Sequence, residues 1–182
     1  MSVKENLFLQ TLIPIYDDDD DLTTKEDFAS YFYRVNHLAP NIPSSVLYDF
    51  IYLNFDMIAH RYVSLNFEKM KFSKEMWSTK KIYQNVKSDN MDSIDTLGYQ
   101  LYTPLPKNRL QKYVLERRKW PLPIMILENK EGQHLNEYGR SLGQPFHLLE
   151  GHFRLNYLRE IYRREPHTLP ESFTVWKVTI NE

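Results

Sequence analysis

Glycine and aspartate do not share a half of this chain. Every Asp precedes Gly98, all five Gly lie at or after it, and eight of the ten Arg sit in the second half. Residues 1–97 carry 10 Lys+Arg against 15 Asp+Glu, a net of −5, while residues 98–182 carry 13 against 9, a net of +4. A whole-chain charge of −1 hides this break. The asymmetry predicts two differently built pieces: an acidic helical lobe with a connector over 1–97, and an α/β domain over 98–182.

With 42% hydrophobic and 14% aromatic residues in 182, the chain can bury one good core and a small second lobe, which excludes a disordered chain. The absence of Cys excludes a disulfide scaffold, thiolate catalysis, Cys-ligated zinc and iron–sulfur clusters. No basic-then-apolar leader opens the sequence, so a soluble, cytoplasmic protein is expected. The most apolar stretch, Val46 to Ile58, is too short to span a membrane and is broken by Asp49, Asn54 and Asp56. No membrane partner is expected.

Thr23 or Thr24 can cap a first helix carrying Phe28, Tyr31, Phe32, Val35 and Leu38 up to Pro40, and Ser44 or Ser45 can cap a second. On that second helix Asp49, Asp56 and His60 share one stripe at spacings of seven and four, a spacing compatible with metal ligation but also with an ordinary polar face; no metal is assigned. From Lys69 to Lys87 lysines mix with Phe72, Trp77 and Tyr83. Such mixing can serve nucleic acid, but interspersed acids favour a connector of two or three short elements.

The second piece alternates. Pro104 and Pro106 precede a helix over 107–119, Trp120-Pro-Leu-Pro123 breaks it, and Ile124 to Leu127 reads as a strand buried on both faces. After a long loop over 128–145 come a strand over 146–150, a turn at Gly151, a helix over 152–164 and a terminal strand over 173–180.

The junction at 146–154 carries the chemistry. A strand ending in Glu150, a glycine that permits a sharp turn, and a helix opening with His152, Phe153 and Arg154 bring free N–H groups and a guanidinium to one spot. The same spacing allows Arg154 simply to pair with Glu150 or Glu131. His147-Leu-Leu-Glu-Gly-His152 is one residue too long for an inverted zinc motif and is interrupted by the glycine.

The string Phe-His-Leu-Leu-Glu-Gly-His-Phe-Arg-Leu-Asn-Tyr-Leu over 146–158 resembles the (apolar)-Asp/Glu-Gly-x-x-Arg-(apolar) box of the ParB/sulfiredoxin superfamily. Pro123-Ile-Met-Ile-Leu127 resembles the strand before that box, and 173–180 the strand after its helix, so the resemblance covers about 104–180. It implies an α+β protein with an N-terminal helical lobe and a small mixed α/β ParB/sulfiredoxin-like domain. It further implies that Gly151 and Arg154 hold the phosphate of a nucleotide; His152, where the family varies by branch, is a candidate to join them, and the cofactor stays open, a nucleotide with Mg²⁺ being one option.

Departures narrow the branches. The reductase branch uses a cysteine just after the glycine, where this chain has His152, so sulfinic-acid repair is not expected. A DNA-sliding clamp is not expected either, because the chain stops at Glu182 after the third strand. Glu150 and His152 are the candidate catalytic groups, with Glu128 and Glu131 also available, and no spacing singles one out.

The expectation is therefore nucleotide or phosphate binding, with phosphotransfer or nucleotide hydrolysis open. The rival is a non-catalytic interaction or inhibitor protein whose acidic run, Asp17, Asp18, Asp19, Asp20 and Asp21, faces a basic partner. A third reading is nucleic-acid binding through the arginines of 154–164.

Overall fold

A computed structural model describes residues 6–19, 22–88 and 95–181. The fold is α+β, and its main sheet has five strands in the order β3-β7-β5-β6-β4: β3 (Met70–Ser78), β4 (Val86–Lys87), β5 (Ile124–Glu128), β6 (Phe146–Glu150) and β7 (Ser172–Ile180). Strand β5 pairs antiparallel with β6 and parallel with β7, and β4 runs parallel to β6. The chain divides into two compact units, one of Met1–Phe72, His134–Ser141 and Thr179–Glu182, the other of Ser73–Gln133 and Leu142–Val178. The compositional break at Gly98 falls inside the second unit, not between the two.

The first unit contains α1 (Leu7–Thr11), an antiparallel pair β1 (Tyr16–Asp19) and β2 (Leu22–Lys25), and the helices α2 (Phe28–Val35), α3 (Ser44–Val46) and α4 (Leu53–Arg61). Thr23 and Thr24 lie in β2, and the α2 cap is Asp27, whose carboxylate accepts from the backbone N–H groups of Ala29 and Ser30. The expected threonine cap is thus corrected. Ser44 is already helical; Pro43 takes the cap position without a side-chain bond. Between α3 and α4 the backbone winds as a π-helix over Leu47–Tyr52, and Asn54 leaves helical geometry (φ −126°, ψ 25°). Both changes lie between Asp49 and Asp56 and alter the angular step per residue, so Asp49 leaves the stripe an unbroken α-helix would give, while Asp56 and His60 stay four residues apart on α4. Among the described residues no three His, Asp or Glu side chains gather to hold a metal ion, and no helix is long and apolar enough to cross a membrane.

In the second unit α5 (Thr79–Asn85) leads into β4, α6 (Arg109–Arg117) precedes β5, and α7 (His152–Arg164) joins β6 to the turn before β7. Helix α6 starts two residues after the expected position because Asn108 and Gln111 form a reciprocal capping box. Ile124, Met125, Ile126 and Leu127 are all buried, as an apolar run between breakers requires. One core cluster joins Trp77, Ile82, Trp120, Ile124, Leu148, Leu155, Leu158 and Phe173; a second joins Leu101, Val114, Tyr157 and Ile161. Burying each such aliphatic side chain contributes about 1.5–3 kcal/mol.

Helix α7 belongs to both clusters, and every residue from Leu155 to Ile161 is buried. Three of those are polar: Asn156, Arg159 and Glu160. Gly98 explains part of this, since a Cβ there would lie 2.8 Å from both the Asn156 carbonyl oxygen and Glu160 Cβ. Only glycine lets the 3₁₀ segment Asp95–Tyr102 approach the helix so closely.

Candidate functional site

Strand β6 and helix α7 meet at Gly151, which holds φ 103° and ψ 29° and caps the helix with no side chain. A Cβ on Gly151 would come within 2.5 Å of Ile124 Cγ2 on β5 and 3.2 Å of Arg154 Nε. The glycine is thus required twice, for its left-handed backbone and for its contact with β5. Leu155 N–H donates to the Gly151 carbonyl at 2.9 Å, closing the first turn. The backbone amides of the residues before it start the helix ahead of any intrahelical acceptor.

Arg154 lies one turn in, its side chain only 12% exposed, and its Nη2 forms an ion pair with Glu150. Its Nε is buried with no hydrogen-bond partner among the described residues. The carbonyl of His152 accepts from Asn156 Nδ2 at 2.8 Å, which ties the start of the helix to its buried middle. Phe153 stands beside them, 52% exposed.

Glu150, Gly151, His152 and Arg154 are therefore brought together, and of the two acids proposed as partners of Arg154 it is Glu150 that pairs. Glu128 is elsewhere: it ends β5 opposite Phe146, four residues from Ile124 and so about 13 Å along the strand. Its carboxylate bonds Lys130 at 2.8 Å and lies 3.6 Å from Lys177, which in turn sits 3.7 Å from Glu75. The bond from Lys130 is the main reason that Glu128 titrates below the usual carboxylate range; Lys177 adds to it against the opposing effect of burial.

The aromatic residues of the Lys69–Lys87 stretch do not form a stacking surface. Trp77 is in the core with its ring 4.6 Å from Phe146, Lys81 covers its face at 3.5 Å, and Tyr83 stacks on Tyr162 at 4.3 Å. The arginines of α7 are internally engaged as well. Arg159 donates to the Val86 carbonyl at 2.6 Å, and Arg163 and Arg164 both pair with Glu160. Of the acidic run, Asp20 and Asp21 lie outside the described residues, and Asp17 to Asp19 form the backbone of β1.

Sequence reasoning missed a cleft of about 300 Å³ lined by Met76, Lys119, Trp120, Leu122, Ser172 and Phe173, among others. Lys119, Trp120 and Phe173 also line a narrow gap between α6 and α7 that Arg154 borders. The signal was present in Trp120-Pro-Leu-Pro123, where two prolines hold a large ring in a fixed turn. No model of a known protein family, no curated protein and no solved structure matches this chain.

Proposed function

We propose that the turn from β6 through Gly151 into α7 binds a phosphate group, as carried by a nucleotide. The observation that carries this reading is the left-handed, side-chain-free cap at Gly151 with a largely buried arginine one turn behind it. Helix-start amides and a guanidinium fork complement the oxygens of a phosphate. The resemblance of residues 146–158 to the ParB/sulfiredoxin box supports it, since Gly151 and Arg154 fall on that box's phosphate positions. In this reading Arg154 supplies charge, His152 and the adjacent amides orient the oxygens, and Glu150 holds Arg154 at the turn before the anion arrives.

Thermal melting with CTP, ATP, GTP and ADP, each with and without Mg²⁺, tests the proposal. Ligand at 100 times its Kd stabilises the folded state by about 2.7 kcal/mol. For a chain of this size that corresponds to a rise in Tm of about 5–10 °C. The rise should vanish in Arg154→Ala; a panel with no shift, or a shift that Arg154→Ala retains, overturns the reading.

A second reading, non-catalytic protein interaction, is favoured by the apolar side chains the first unit leaves in solvent: Leu7 is 76%, Tyr33 88% and Leu53 53% exposed. It predicts a partner that is retained in a pull-down and released by charge reversal across Asp17–Asp21.

A further inference from the structure

We propose that Glu150 is a built-in competitor for the anion at Arg154, so that a phosphate binds only by displacing its carboxylate. The proposal rests on the phosphate reading of the turn and specifies how that site is gated. Three observations carry it. The β5–β6 ladder shifts register between Met125 and Ile126, so that Glu150 stands opposite Met125 while Leu148 stands opposite Ile126. A bulge of this kind re-aims the side chain that follows it. Second, Arg154 reaches back over one helical turn to the re-aimed Glu150 with Nη2. Third, Arg154 Nε, 3.2 Å from where a Gly151 Cβ would stand, is buried and has no hydrogen-bond partner among the described residues.

The guanidinium is thus held on one edge by an internal anion, while Nε, which backs onto the turn, still lacks an acceptor. An incoming phosphate meets a neutral pair instead of a cation. It gains the charge-assisted fork only when the carboxylate leaves. By linkage, each anion disfavours the other by the same factor, and couplings of this kind fall at about 5–150-fold.

Calorimetric titration of inorganic pyrophosphate into the 182-residue chain, Glu150→Gln and Arg154→Ala tests this. Glu150→Gln keeps the side-chain shape and removes its charge, and should bind about tenfold more tightly than the native protein; Arg154→Ala should not bind. If Arg154→Ala loses binding but Glu150→Gln binds equally or more weakly, the gate is overturned and the phosphate reading stands. If native protein and Arg154→Ala bind alike, or neither they nor Glu150→Gln bind, both fall. Arginine side-chain ¹⁵N NMR of the native protein gives a check that needs no folded Glu150 variant. Pyrophosphate should shift the Arg154 guanidinium signal, assigned by its loss in Arg154→Ala, and an unmoved signal overturns the gate.

Discussion

Gly151 carries two demands that its neighbours in sequence do not reveal equally. A sharp turn between a strand and a helix was legible from the glycine alone; the 2.5 Å approach of an added Cβ to Ile124 Cγ2 was not, because it depends on how β5 lies against the turn. Gly139 separates the two effects, having φ 72° but no atom within 4 Å of an added Cβ. Gly139→Ala should therefore cost only left-handed backbone strain, about 1–2 kcal/mol. Gly151→Ala adds overpacking against β5, a further 1–3 kcal/mol or so. Urea unfolding of the two variants should rank them in that order, and equal losses would mean that the contact with Ile124 is relieved at no cost. The Glu150–Arg154 pair was legible as one of two options, since an i,i+4 spacing permits it; choosing between Glu150 and Glu131 needed the bulge.

Elements were most legible where an apolar run met a breaker. Strands β5 and β6 and helix α7 follow Ile124 to Leu127, Phe146 to Leu149 and the Gly151 turn closely, whereas the starts of α2 and α6 moved to the side chains that cap them, Asp27 and Asn108. Side-chain bonds along and across the strands were invisible, because they depend on which side chains the folded sheet turns toward one another. On β3, Glu75 accepts from Trp77 Nε1 at 2.7 Å, and this bond is the foremost reason that Glu75 titrates below its ordinary 4.5; burial opposes it, and Ser73 and Lys177 assist. A carboxyl group whose folded pKa is depressed stabilises the fold above its unfolded value and loses that contribution as pH falls through the folded one. The contribution of Glu75 should therefore be complete above about pH 5. It should disappear progressively below 4.5. Trp77→Phe removes the donor and keeps a ring, so its stability deficit at pH 7 should shrink as pH is lowered toward 3. A deficit independent of pH would assign the loss to packing alone.

At the scale of the molecule, composition and contact divide the chain differently. The charge break at Gly98 separates an acidic from a basic half, yet β3, α5 and β4 lie before it and supply both edges of the main sheet. They also bring Trp77, Ile82 and Val86 into the cluster formed with Ile124, Leu148, Leu155 and Phe173. Composition reports what each segment displays to solvent, whereas sheet pairing reports which backbones must satisfy one another, and no count by halves contains the second. A fragment of residues 98–182 retains the Gly151 turn but leaves β6 without β4 and β7 without β3. Three large core side chains are missing, each worth about 1.5–3 kcal/mol or more, against a total stability of about 5–15 kcal/mol for a typical domain. That fragment should show no cooperative thermal or urea transition by circular dichroism. A fragment of residues 70–182, which restores both edge strands and the cluster, should unfold cooperatively. Should 98–182 melt as sharply as 70–182, the two edge strands would be dispensable and Gly98 would mark a true folding boundary.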